Sequence, residues 1–130
     1  MTGPARAPVG WGLRVTEHEG GVALLEVRGE IDAVTVEPLA DAVRALTHAD
    51  QAVVLDLTRV TYLGSRGLAL FIEADAEARR RRGRFVVVPG PGDRAVSRAL
   101  ALTGVDRVLD VRAGAPQEVT QAARAASPRS

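Results

Sequence analysis

A chain of 130 residues is short enough for one domain and long enough to bury roughly two-thirds of its unfolded surface. Its 46% hydrophobic and 25% charged residues suit an ordinary globular protein, and a net charge of +1 leaves no electrostatic footprint for nucleic acid or an anionic membrane. The lack of cysteine excludes disulfides, thiolate catalysis and cysteine-bound zinc, and 3% aromatic residues leave no platform for stacking single-stranded bases.

All 17 basic residues are arginine, which in a chain rich in Ala, Gly and Val reads as the codon bias of a GC-rich genome. The start, M-T-G-P-A-R-A-P-V-G-W-G, lacks the apolar centre of a signal peptide, and no run approaches the roughly 20 apolar residues of a spanning helix. A cytoplasmic location is expected.

Residues 1–10 carry prolines and glycines without periodicity and are expected to be a flexible leader; residues 11–126 form the domain, and 127–130 a frayed end. Leu13–Glu17 reads as a weak strand and His18–Gly21 as a turn. Val22–Arg28 is a strand with Ala23, Leu25 and Val27 on one face, and the two strands should form an antiparallel hairpin. Thr35 can cap a helix in which Val36, Leu39, Val43 and Leu46 recur at helical spacing, with Pro38 tolerated in its first turn. Val53–Leu57 is a central strand, followed by a short polar link.

A helix is predicted from about Ser65 to Arg82, with Leu68, Phe71, Ile72 and Ala76 inward and Gly83 ending it. Phe85–Val88 is a buried strand, Pro89–Gly92 a turn, and Asp93 the cap of a helix reaching about Leu102, closed by Gly104. Val108–Val111 reads as an edge strand and Gln117–Ala126 as a last amphipathic helix. Right-handed crossovers make Val53–Leu57 parallel to Phe85–Val88, so the class is α/β with a mixed sheet.

Candidate chemistry thins out on inspection. A hydrolase elbow needs G-x-S-x-G, but Leu63 stands where the first glycine belongs, and both histidines, His18 and His48, precede Ser65. Gly90-Pro91-Gly92-Asp93-Arg94-Ala95 fits a dinucleotide fingerprint in its alanine form, yet one such unit in so short a chain cannot build paired nucleotide halves. The run Arg79–Arg82 suits the negative end of a helix dipole. Glu73, Asp75 and Glu77 lack a histidine and read as a solvated face, so no metal, cofactor or catalytic residue is expected.

Ser65 remains, at a helix start between Gly64 and Gly67. Its plain role is an N-cap, worth about 1 kcal/mol. With glycine on both sides the first-turn amides are also open to an approaching group, and a phosphate there would add about −2 charges at a helix end suited to it.

Three segments carry a resemblance. Val27-Arg28-Gly29-Glu30-Ile31-Asp32, with Thr35 following, resembles a strand ending in a Gly-Glu-hydrophobic-Asp turn. Asp56-Leu57, Val60, Leu63 and Gly64-Ser65-Arg66-Gly67-Leu68 resemble the signature D-L-x-x-V-x-x-[hydrophobic]-D-S-x-G-L, with Gly64 in place of its second Asp. Gly83–Val88 and Leu102–Val105 resemble the closing strand–helix segment. The chain is similar, from Leu13 to about Ala126, to the STAS family and within it to bacterial anti-sigma factor antagonists.

The resemblance implies a mixed sheet of about five strands packed with about four α-helices. It also implies a non-enzymatic role, in which the unmodified serine form binds an anti-sigma factor of the ATPase-kinase type and frees a sigma factor. Phosphorylation of Ser65 by that kinase ends the interaction, and a serine phosphatase restores it. Asp32, Thr35, Gly64, Ser65, Arg66 and Gly67 are then the expected partner-binding residues. The alternative is a STAS scaffold or sensor that takes a small anionic ligand or nucleotide.

Overall fold

The outer strand of the opening hairpin, β1 (Gly12–His18), runs antiparallel to β2 (Val22–Ile31), with Leu13 opposite Val27 and His18 opposite Val22. This computed structural model describes residues 10–92 and 94–126. The predicted leader, apart from Gly10, the cap at Asp93 and the end at 127–130 lie outside those residues. After β2 come α1 (Val36–His48), β3 (Ala52–Leu63), α2 (Ser65–Arg80), β4 (Phe85–Val88), α3 (Ala95–Thr103), a 3-10 turn (Val105–Arg107), β5 (Asp110–Val111) and α4 (Pro116–Ala126). Among the described residues the sheet has five strands in the order β1-β2-β3-β4-β5, and every pair after the hairpin is parallel.

Alternation along β2 explains the layers. Ala23, Leu25 and Val27 join Val53, Leu55 and Leu57 under α1, α2 and α3, where Leu39, Val43, Phe71, Val96 and Leu100 close the main core. Phe71 and Phe85 meet in a tilted ring contact, with centroids 6.2 Å apart. Val22, Leu24, Val54, Val86 and Val88 face the other way and are covered by Val119 and Ala123 of α4. No helix among the described residues is long and apolar enough to cross a membrane.

Several sequence expectations need correction. The stretch 58–63 is strand rather than a polar link, because β2 itself continues to Ile31 and pairs with it. Two irregularities in that pairing place extra β3 residues opposite β2, which hides a simple alternation. His18 ends β1 instead of lying in the turn. α2 buries Gly67, Leu70, Phe71, Ala74, Asp75 and Ala78, whereas Ile72 is exposed. Asp75 is therefore no part of a solvated face; it is buried and paired with Arg79 at 3.0 Å.

Arg82, not Gly83, takes the left-handed conformation that ends α2 (φ 58°). The Gly83 amide donates to the Ala78 carbonyl and the Arg82 amide to that of Arg79, a Schellman closure built on a non-glycine residue. Gly104 does take the left-handed position after α3, at φ 76°.

Candidate functional site

The parallel pairing of β2 and β3 brings the two segments expected to form the site to the same end of the sheet. Ile31 is opposite Leu63 at the carboxyl ends of the two strands, so the Asp32–Thr35 turn and the start of α2 emerge side by side. The Gly64 amide ties them together by donating to the Ile31 carbonyl at 2.9 Å.

In the first segment Asp32 and Thr35 bond reciprocally. The Asp32 carboxylate accepts the Thr35 amide at 3.0 Å and the Val34 amide at 2.9 Å, while the Thr35 hydroxyl accepts the Asp32 amide at 2.9 Å. That hydroxyl donates in turn to the Glu30 carbonyl at 2.6 Å. The pattern is a capping box one turn ahead of α1, with Asp32 in the capping role. Thr35 occupies the position before the helix but its side chain does not cap it, a correction to the sequence expectation. The Thr35 amide, followed by that of Val34, holds the Asp32 carboxyl below the usual carboxylate range.

Ser65 is the first residue of α2, and the capping position belongs to Gly64. No side-chain bond caps this helix, so the Ser65 hydroxyl is not an N-cap as its position in the sequence suggested; it is exposed to solvent. The Gly67 and Leu68 amides reach back to the Gly64 carbonyl, at 3.1 and 3.2 Å. The Ser65 and Arg66 amides precede the first intrahelical bonds. The first turn holds no acidic residue and carries the exposed Arg66, so the positive end of the helix dipole goes unneutralised.

The two glycines differ. A Cβ on Gly67 would lie 2.5 Å from Leu63 Cδ1 and 2.8 Å from Ile31 Cγ2, so Gly67 faces inward and lets α2 seat on the strand ends. It is a packing residue, not an opening onto the backbone. Gly64 has an ordinary backbone (φ −87°), and a Cβ there would meet the Tyr62 ring at 3.2 Å. The space a side chain at position 64 would need is thus bounded by tyrosine.

Of the six expected residues, Asp32, Gly64, Ser65 and Arg66 reach the surface of one end of the sheet, while Thr35 and Gly67 are buried beneath it. Sequence reasoning missed Val34, 69% exposed in the turn, and Tyr62, 52% exposed beside Gly64. An apolar residue inside a turn and an aromatic on the outward face of a strand end were the available signals.

Both histidines lie at the far end of the sheet. His18 is opposite Val22 at the start of β2, and His48 ends α1, which returns the chain to the start of β3. Nine strand steps separate that end from Ser65, roughly 30 Å. A Ser–His pairing is ruled out by topology. No group of three or more His, Cys, Asp or Glu side chains that could hold a metal occurs among the described residues.

Comparison with known proteins adds to this geometry. The chain matches the family model described as "Mlab, STAS domain" over residues 15–111. It is 35% identical over 105 residues to the anti-sigma-F factor antagonist RsfB of Mycobacterium tuberculosis, covering 79% of this chain and 82% of that one. It is 32% identical over 101 residues to the anti-sigma-B factor antagonist of Listeria monocytogenes, covering 77% and 87% of the two chains. The crystal structure of an anti-sigma factor antagonist from Mycobacterium paratuberculosis superposes with a TM-score of 0.72 at 30% identity, covering 90% of this chain and 99% of that one.

Proposed function

The chain belongs to the STAS-domain family, and from that premise we propose that it is an anti-sigma factor antagonist whose partner affinity is set by the state of Ser65. The observation that carries the reading is the exposed, uncapped Ser65 at the open amino end of α2, beside the braced Asp32 turn. The hydroxyl makes no structural bond that modification would break, and a phosphate would sit against free first-turn amides and Arg66.

The role is non-enzymatic and cytoplasmic. The unmodified protein binds an anti-sigma factor of the ATPase-kinase type through Asp32, Gly64, Ser65 and Arg66, and so releases a sigma factor. Thr35 and Gly67 shape that surface from beneath. Kinase transfer of a phosphoryl group to Ser65 ends the complex by placing about two negative charges in a contact built for a neutral hydroxyl. A serine phosphatase resets it.

Gly64 bears on the rate of transfer rather than on docking, since it brings no carboxylate next to the hydroxyl. The test is incubation of the protein with ATPase-type anti-sigma factors and ATP, reading complex formation and the mass of the Ser65 peptide. A stable complex in the absence of ATP, and a phosphate on Ser65 in its presence, are expected. No complex with any such factor overturns the reading.

A further inference from the structure

On the face of the sheet that α4 covers, the β2 residues Glu26 and Arg28 continue the row begun by Val22 and Leu24, beyond the helix. The first irregularity in the β2–β3 pairing brings Arg59 directly opposite Arg28. Two like charges in register on adjacent strands repel, and a sheet usually offsets this with a carboxylate. Here no ion pair joins either guanidinium to a carboxylate among the described residues.

The nearby acids are otherwise engaged or unpaired with these arginines. Asp32 braces its own turn, and Asp56 accepts the Thr58 amide and hydroxyl at 2.8 and 2.6 Å. Glu26 and Glu30 line the same surface without pairing to Arg28 or Arg59.

The pair also borders open space on both sides. A cavity of about 480 Å³ is lined by Trp11, Arg28, Gly29, Arg59 and the Asp32–Thr35 turn, and a second of about 220 Å³ lies between the pair and Arg14. Glycines shape this cleft. Gly29 has φ 93°, and a Cβ on it would lie 2.9 Å from the Gly10 carbonyl oxygen. A Cβ on Gly12 would lie 2.9 Å from Arg28 Nε, so the Arg28 guanidinium rests across the bare backbone of β1.

We propose that this cleft is a binding site for a small oxyanion, a phosphate or carboxylate group held between the Arg28 and Arg59 guanidinium forks with Trp11 as a wall. Arginine presents paired N–H donors that match such groups, and an anion between the two relieves their repulsion. The site shares the Asp32–Thr35 turn with the proposed partner surface but does not include Ser65, and its occupancy does not depend on the partner proposed above.

Trp11 is the single tryptophan of the chain, so its indole N–H gives one resolved signal in a nitrogen–proton correlation spectrum. The full-length protein is titrated at constant ionic strength with inorganic phosphate, with malonate and with ADP. Saturable shifts of the Trp11 indole and the Gly29 amide are expected from at least one of them. Tighter binding of ADP than of phosphate would identify a nucleotide as the bearer of the group, and a response to malonate alone would identify a carboxylate.

Arg28→Gln and Arg59→Gln should each weaken binding at least roughly tenfold, while Arg107→Gln in the 3-10 turn leaves it unchanged. Should a glutamine variant fail to fold, Arg28→Lys and Arg59→Lys serve instead; they keep the charge, lose the fork and should also bind more weakly. Shifts that stay linear for all three probes, or equal affinity in folded arginine variants, overturn the proposal.

Discussion

Asp32 and Thr35 hold each other in place by exchanging bonds, the Thr35 amide to the Asp32 carboxylate at 3.0 Å and the Asp32 amide to the Thr35 hydroxyl at 2.9 Å. Only one of the two is available to a partner, because Thr35 is 2% exposed. The pair converts the end of β2 into a rigid turn, and the Ile31–Gly64 backbone bond passes that order to the start of α2.

Thr35→Val keeps the shape of the buried side chain and removes both hydroxyl bonds, leaving the Asp32 amide and the Glu30 carbonyl without that partner. The cost should be about 1–3 kcal/mol. In a double-mutant cycle with Asp32→Ala, measured by urea denaturation, the two losses should fall short of additive. Full additivity would mean the two residues act separately.

The Asp32 carboxyl is depressed in the folded protein, chiefly by the Thr35 amide. A depressed acid contributes stability above its unfolded pKa and loses it as pH falls through the lower folded value. Acidification below the usual carboxylate range should therefore loosen the turn, seen as faster amide exchange at Val34 and Thr35 relative to the core of β3. Asp32→Asn should lack this acid-dependent component, and an unchanged pH profile in that variant would assign the effect to another group.

Gly67→Val drives a branched side chain into Leu63 and Ile31, so it should lose roughly 1–3 kcal/mol from overpacking, offset only in small part by valine's better helix propensity than glycine's. Ala69→Val, two residues on and exposed, meets only the propensity cost, about 0.5 kcal/mol. Equal denaturation midpoints for the two variants would show that α2 can shift away from the strand ends at no cost.

The elements with a clean period were legible in the sequence. Val36, Leu39, Val43 and Leu46 fixed α1 and its buried face, and Phe85–Val88 was found to the residue. The far half of β3 was not, because Thr58, Arg59 and Thr61 face away from the core on a strand whose pairing is twice irregular. The face of α2 was misjudged because Gly67 contributes no hydrophobicity while lying inward, whereas Leu68 and Ile72 do contribute and lie toward the rim.

At the site, the grouping of Asp32, Thr35 and Gly64–Gly67 was legible only through the resemblance of their segments to the STAS signature, and the β2–β3 register brings those segments to one end of the sheet. The division between contact and support was not. Thr35 and Ser65 are both hydroxyls at helix starts, and only the bonds that Thr35 makes and Ser65 lacks distinguish a buried brace from an exposed group.

The central claim is tested most directly by the affinity of Ser65→Asp and Ser65→Ala for one ATPase-type anti-sigma factor that binds the wild-type chain. Both variants should fold, since Ser65 caps nothing and a negative charge suits a helix amino end; circular dichroism checks this. A carboxylate buried without a partner at the contact costs about 3 kcal/mol, which is roughly a hundredfold in affinity. Pairing with Arg66 offsets part of that. The account predicts that Ser65→Asp binds at least roughly tenfold more weakly than Ser65→Ala, with the alanine variant close to wild type. Equal affinities for the two folded variants would contradict it and leave Ser65 outside the contact.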